Sequence, residues 1–167
     1  MADITERLQQ YVQDLKAGTL HLVGHSLGGL VIYRFLERFP KQPPGRVVFL
    51  GTPCVCSRAA TAAARYRWLA PLVGKCVAEE LLVEKRRCWE LKRDLGIIAG
   101  TQRLGLGQFL AHFDEDCDGT VAVSETKLPG ASDHLTLPVS HMGMLLSARV
   151  ARETAHFLRH GHFSMGR

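Results

Sequence analysis

The sequence predicts an α/β fold: a mostly parallel sheet flanked by helices, in a single domain spanning residues 1–167. Three observations predict it. Short continuous apolar runs, such as Arg46-Val47-Val48-Phe49-Leu50-Gly51, have the character of strands buried on both faces. These runs alternate with stretches whose apolar residues recur at helical spacing, and such alternation produces a parallel sheet. The third is Leu20-His21-Leu22-Val23-Gly24-His25-Ser26-Leu27-Gly28-Gly29-Leu30. It passes from an apolar run, through a glycine-flanked serine, into an amphipathic helix. The length suffices for one domain with its own core.

The elements follow in order. Asp3 to Lys16 reads as a helix, with Asp3 and Glu6 spaced as in a capping box. Its apolar face is Ile4, Leu8, Tyr11, Val12 and Leu15, and Gly18 ends it. Thr19 to Val23 is a strand. Leu27 to Phe39 is a helix stopped by Pro40. A proline-containing loop leads to the strand Val47–Leu50. Ser57 to Leu95 is alanine-rich, then charged; Val77, Leu81, Leu82 and Trp89 suggest two or three amphipathic helices. Gly96 to Gly100 is the next strand, and Thr120 to Val123 a short extended piece. His134 to Val139 is the last strand, with Pro138 marking its end or an edge. Met142 to His160 is a closing helix, and Gly161 to Arg167 a loose tail.

The serine motif has the form of a nucleophile elbow: strand, sharp turn, helix. Such a turn strains the serine backbone, and side chains at Gly24 and Gly28 are expected to collide with the adjoining strand and helix. Ser26 then stands at the carboxyl end of a strand. The positive end of the next helix faces the place where an oxyanion would form. The plain alternative is a strand-to-helix turn that carries a hydroxyl.

With Gly24-His25-Ser26-Leu27-Gly28-Gly29 the chain resembles the α/β-hydrolase superfamily, and within it bacterial lipases and esterases. The resemblance runs from about Asp3 to about Gly161. It implies a partial α/β-hydrolase fold, with 57–95 either a helical cap-like insertion (a lid) or helices packed on the sheet. It also implies a Ser-Asp-His triad, in that chain order, acting on esters that are often those of fatty acids.

In a parallel sheet, sites lie beyond the carboxyl ends of the strands. Ser26 follows the strand Thr19–Val23, Asp118 lies in the loop after Gly96–Gly100, and His141 follows His134–Val139. Among the other histidines, His134 begins its strand and so lies at the wrong end. His156, His160 and His162 fall in the last helix or tail. His21 precedes the elbow within its strand, and His25 is expected to point away from the base. His112, in a loop, remains a second candidate. Asp118 heads Asp118-Gly119-Thr120-Val121, which resembles the segment carrying the triad acid in many bacterial lipases. Asp116 is the next candidate; Asp114 and Glu115 are close, and Asp133 is at the wrong end. His141 would take the proton of Ser26, Asp118 would orient His141, and the Leu27 N–H would contact the oxyanion. Gly24, His25 and Gly28 shape the elbow. The expected substrate is a small-molecule ester or lipid, with no cofactor and no metal. The apolar character of 57–95 favours a lipophilic substrate.

A competing pattern overlaps the acid. Asp114 to Glu125 fits the calcium-loop pattern D-x-D-x-D-G-x5-E. An EF-hand needs a helix on each side, and Lys127 to Ser132, with Pro129 and Gly130, is a poor exiting one. No second such loop is present to pair with it. If the loop held calcium, Asp118 would be a ligand rather than a free triad acid.

The chain also departs from the superfamily pattern. Members of the superfamily it resembles normally carry an upstream strand and loop, often ending in His-Gly, that pair beside the elbow strand and donate a second oxyanion N–H. Here the sequence starts one helix before that strand, so it resembles the C-terminal two-thirds of a hydrolase. The expectation is an unpaired edge on the most buried strand. Three readings stand side by side: a truncated enzyme, a sheet completed by another copy or another chain, or a non-catalytic relative that binds a ligand or partner. A further departure is Cys54, where related lipases tend to have histidine after Thr-Pro.

Composition narrows the partners. The net charge of +5 is spread as single basic residues, and the densest cluster, Glu84-Lys85-Arg86-Arg87, includes an acid. Nucleic-acid binding would want a longer basic run with stacking aromatics. No apolar run is long enough to span a membrane, and the N-terminus lacks a signal-peptide pattern. With five cysteines, an odd number, free thiols in a cytoplasmic setting are expected. Cys54-Val55-Cys56 lacks metal or redox spacing.

Overall fold

The computed structural model describes residues 2–54, 87–103 and 115–164. Most of the segment expected to form cap helices, together with His112 and Asp114, lies outside the described residues. Among the described residues, helix α1 spans Ala2–Leu15, strand β1 Leu22–His25, helix α2 Leu27–Arg38, strand β2 Val47–Leu50 and strand β3 Leu95–Gly100. A short helix α3 covers Val123–Thr126, strand β4 Asp133–Leu137, a 3-10 turn Gly143–Leu145, and helix α4 Ala148–His160.

The four strands form one sheet in the order β1-β2-β3-β4, and every neighbouring pair is parallel. The reason lies in β2 and β3, where every residue is buried. Successive side chains point to opposite faces of a strand. Val47 and Phe49 therefore pack on one face with Tyr33, Phe35 and Leu36 of α2 and with Trp89. Val48 and Leu50 pack on the other with Ile98, Leu137, Val150 and Phe157. Helices thus cover both faces, and the connections return all strand ends to one rim.

Several elements differ from the sequence expectation. β1 begins at Leu22 rather than Thr19, although Leu20 N–H still reaches Pro44 O at 2.8 Å. α1 begins at Ala2, which puts Asp3 inside its first turn rather than at a cap. β4 stops at Leu137, just before Pro138. The extended piece at Thr120–Val123 is only an isolated antiparallel bridge between Cys117 and Ala122, after which α3 starts. Met142 to His160 is not one helix. Ser147 caps a new one, its hydroxyl accepting the Val150 N–H at 3.3 Å, and the 3-10 turn precedes it. Gly161, at φ 82°, closes α4 in the left-handed conformation that favours glycine.

The tail is not loose up to Ser164. Phe163 is buried against Phe157, with ring centroids 5.0 Å apart. Its N–H donates to Asp133 Oδ2 at 2.8 Å, and Ser164 N–H donates to buried Glu153 at 2.8 Å.

The expected open edge is present among the described residues, but not on the most buried strand. Leu22 N–H bonds Arg46 O at 3.0 Å and Ser26 N–H bonds Leu50 O at 2.8 Å. Alternate residues face alternate sides, so the backbone groups of Val23 and His25 face the open side. Val23 is exposed, whereas β2 and β3 are buried throughout. The apolar face of α1 is likewise mostly uncovered: Val12 is buried, while Ile4, Tyr11 and Leu15 are exposed.

Candidate active site

Ser26 sits between β1 and α2 at φ 54°, ψ −124°. A non-glycine residue in such a region costs about 1–3 kcal/mol and persists only where its surroundings impose it. Three close contacts impose it. The Ser26 N–H is fixed to Leu50 O, its carbonyl accepts the Gly29 N–H at 3.2 Å, and β1 presses against the start of α2. A Cβ on Gly24 would stand 2.6 Å from Gly29 N. A Cβ on Gly29 would run into the Thr52 side chain. Gly28, by contrast, has nothing within 4 Å of a Cβ. The expectation of a clash thus holds at Gly24 and fails at Gly28; the tight second glycine is Gly29. Leu27 opens α2, so its N–H belongs to the first turn, which has no carbonyl partner within the helix.

Asp118 and His141 meet directly. Asp118 is 1% exposed, and the His141 Nδ1–H donates to its Oδ2 at 2.7 Å. The other oxygen, Oδ1, accepts the backbone N–H groups of Thr120 at 2.8 Å and Val121 at 2.7 Å. The backbone is joined as well, with His141 N–H to Asp118 O at 2.8 Å. A carboxylate held by three donors has one fixed orientation. The ring it binds is fixed in turn, and its Nε2 is left for chemistry.

Glycines at the strand ends make room for this pair. Gly51, at φ 54°, follows β2; a Cβ there would lie 2.9 Å from Asp118 Oδ2 and 3.1 Å from His141 Nδ1. Gly100 ends β3, where a Cβ would lie 2.7 Å from the Asp118 Cβ. Neither glycine stood out in the sequence, although each directly follows or closes a buried apolar run.

His25 is the main correction at the site. It does not point away from the base. Its Nε2 donates to the His141 carbonyl at 2.9 Å, and the two rings lie 4.6 Å apart. Burial, followed by the nearby His141, pushes the His25 pKa below 6.5, so the ring is neutral near pH 7. The residue next to Ser26 thus grips the segment that carries His141. The only sequence signal for this was its place beside the serine.

The remaining candidates have other partners. His134 shares a 2.9 Å hydrogen bond with Thr126 Oγ1, and burial lowers its pKa. His21 Nδ1 accepts the Arg46 N–H at 3.0 Å, at the opposite end of the sheet. His156, His160 and His162 cluster with one another at the end of α4. Asp116 is exposed, and its carbonyl accepts the Val123 N–H at 2.9 Å. Asp133 binds the N–H groups of His134 and Phe163. Cys54 is a core residue: its thiol is pushed up to about 12 by burial and donates to Thr52 O at 3.4 Å.

The calcium-loop pattern has no matching geometry in its described part. Asp118 gives both oxygens to protein donors, and Glu125 Oε2 accepts the Ala122 N–H at 3.0 Å. Among the described residues, no group of three or more His, Cys, Asp or Glu side chains could hold a metal ion.

No protein-family model matches the chain, and no curated protein matches it in sequence. Solved structures do. Mature lipase BlEst2 of Bacillus licheniformis matches at 20% identity and TM-score 0.65, over 93% of this chain and 70% of that one. MGS-MChE2, an α/β-hydrolase enzyme from the metagenome of Mar Chica lagoon sediments, matches at 18% and 0.57, over 91% and 66%. Human thioesterase 2 matches at 11% and 0.57, over 94% and 80%. At these identities the likeness is one of fold. The chain has a partial α/β-hydrolase fold, as the elbow motif led one to expect, and spans about two-thirds of the first two neighbours.

Proposed function

We propose that the chain is a serine hydrolase of carboxylic esters, with Ser26 as nucleophile, His141 as base and Asp118 as the orienting acid. The observation that carries this reading is the buried Asp118–His141 hydrogen bond of 2.7 Å. It lies at the same rim of the sheet as a serine in a strained elbow. His141 Nε2 takes the Ser26 proton as Oγ attacks the ester carbonyl. The oxyanion that forms is stabilised by the Leu27 N–H and the positive end of α2. The alcohol leaves with the proton from His141. Water, deprotonated by the same ring, then releases the acid from the acyl-serine. Neighbours named as a lipase, an α/β-hydrolase enzyme and a thioesterase support this class of reaction. Lipophilic acyl esters are the proposed substrates.

The open edge of β1 among the described residues supports a second element of the proposal: a further strand pairs there, supplied by a longer form of this chain, by another copy or by another chain. Light scattering across a concentration series tests self-association. The free thiols of Cys54, Cys88 and Cys117 fit a reducing, cytoplasmic setting. No helix among the described residues is long and apolar enough to cross a membrane.

Hydrolysis of p-nitrophenyl esters of increasing acyl length tests the activity. The expected result is turnover that is lost in Ser26→Ala and His141→Ala. Equal turnover in the wild type and Ser26→Ala would overturn the proposal.

A further inference from the structure

We propose that His25 is a positioning residue: its side chain sets the place of His141 relative to Ser26. The catalytic meaning of that placement rests on the hydrolase reading. The placement itself is measured separately.

Ser26 follows β1, whereas His141 follows β4, and the order β1-β2-β3-β4 puts two strands between them. At about 4.8 Å per strand spacing, roughly 14 Å separates β1 from β4. A base has to come within about 3 Å of the hydroxyl that it deprotonates. The segment after β4 must therefore reach back across the rim of the sheet and be held there. A misplacement of about 1 Å at the reacting atoms can cost about 10²-fold in rate.

The hydrogen bonds of His141 fall into two groups. Asp118 makes the first: its Oδ2 accepts from the ring at 2.7 Å, and its carbonyl accepts the His141 N–H at 2.8 Å. Asp118 is held in turn by the N–H groups of Thr120 and Val121. All of these partners lie in the chain that follows β3, so they join base to acid and leave Ser26 aside. Among the described residues, the remaining bond is the one from His25 Nε2 to the His141 carbonyl, at 2.9 Å. His25 is the last residue of β1 and pairs with Leu50, whose carbonyl fixes the Ser26 N–H. One short, anchored piece of backbone thus carries both the nucleophile and the group that holds the base. Gly51 lies beside the Asp118–His141 pair but offers no side chain to it.

A histidine suits this place. The carbonyl can only accept, so His25 Nε2 carries the hydrogen. Its ring lies 4.6 Å from that of His141. A lysine or arginine making the same bond would set a cation beside a ring that must become cationic when it takes the Ser26 proton. Burial, followed by His141 itself, holds the His25 pKa below 6.5, so near pH 7 the ring grips the base without opposing its protonation.

Two variants separate the bond from the ring. His25→Phe keeps an aromatic ring and loses the donor; His25→Gln loses the ring and keeps an N–H donor at the end of the side chain. The rate of Ser26 labelling by a fluorophosphonate is expected to fall about 10²-fold in His25→Phe and to recover to within about fivefold of wild type in His25→Gln. On a p-nitrophenyl ester the loss should appear in kcat, with KM changed less than about threefold. Hydrogen exchange of the His141 N–H should quicken about tenfold in His25→Phe and return to the wild-type rate in His25→Gln. Labelling of His25→Phe at the wild-type rate would overturn the proposal. So would labelling of His25→Gln as slow as that of His25→Phe. A wild-type protein that is not labelled at all would defeat the hydrolase reading instead. Hydrogen exchange then decides alone: the expected pattern upholds the placement by His25, and an unchanged rate in His25→Phe overturns it.

Discussion

Ser26 occupies a backbone conformation that serine does not choose. The strain belongs to the elbow rather than to the hydroxyl, so alanine inherits it and glycine relieves it. Ser26→Gly is expected to be more stable to urea than Ser26→Ala by about 1 kcal/mol. The flanking glycines give a sharper contrast. Gly24→Ala pushes a methyl against the backbone of Gly29 and should lose about 1–3 kcal/mol. Gly28→Ala meets open space inside a helix and should gain up to about 1 kcal/mol. Equal urea midpoints for the two would contradict the contact geometry. At Asp118, replacement by Asn exchanges an acceptor for an amide that can hold the wrong ring tautomer of His141. Ester turnover is expected to fall by about 10³–10⁴-fold, with the KM changed far less. Strand ends and chain order single out Ser26, Asp118 and His141 in the sequence, and the structure pairs Asp118 with His141 and places Ser26 in a strained turn; their roles are the proposal that fluorophosphonate labelling tests. The orientation of His25 was not legible there. Nothing in a single sequence says which way the residue beside an elbow serine turns, because that depends on the register of β1 against β2.

At the scale of the element, the regular pieces were legible and their joints were not. α2, β2 and β3 announced themselves through continuous or helical apolar patterns. The split between the 3-10 turn and α4 was hidden because Leu145 and Leu146 continue a helical apolar rhythm. Ser147, the residue that restarts the helix, is a weak signal among other serines. The tail was hidden for a different reason: Phe163 packs on Phe157 only after Gly161 reverses the chain. The docking of that tail is testable. Phe163→Ala should cost about 3–5 kcal/mol if the ring fills the space beside Phe157. A loss below about 1 kcal/mol in urea titration would mean that the tail adds little. The open edge of β1 was read correctly as an edge. β1 is not the most buried strand, because Val23 faces solvent while every residue of β2 and β3 is buried.

For the whole molecule, pH couples the site to the fold. Burial lowers the pKa of both His25 and His134 below 6.5. The folded protein therefore holds these rings neutral, while the unfolded chain protonates them near 6.5. Below that value the unfolded state binds more protons, so stability is present above about pH 6.5 and is lost as the pH falls through it. The urea midpoint is expected to drop between about pH 7.5 and pH 5.5, and a His25→Phe/His134→Phe protein should show a flatter dependence. An identical slope in the double variant would place the coupling elsewhere. The α/β-hydrolase architecture was legible overall because the elbow motif, the buried strands and the order of Ser, Asp and His agreed with one another.

The central claim is that Ser26 is an activated nucleophile served by the Asp118–His141 pair. Intact-mass measurement after treatment with a fluorophosphonate tests it most directly, because the reagent marks an activated serine without a choice of substrate. The account predicts one adduct on the wild-type chain, no adduct on Ser26→Ala, and much slower labelling of Asp118→Asn. A folded wild-type protein that stays unlabelled, or an adduct that survives in Ser26→Ala, would contradict it.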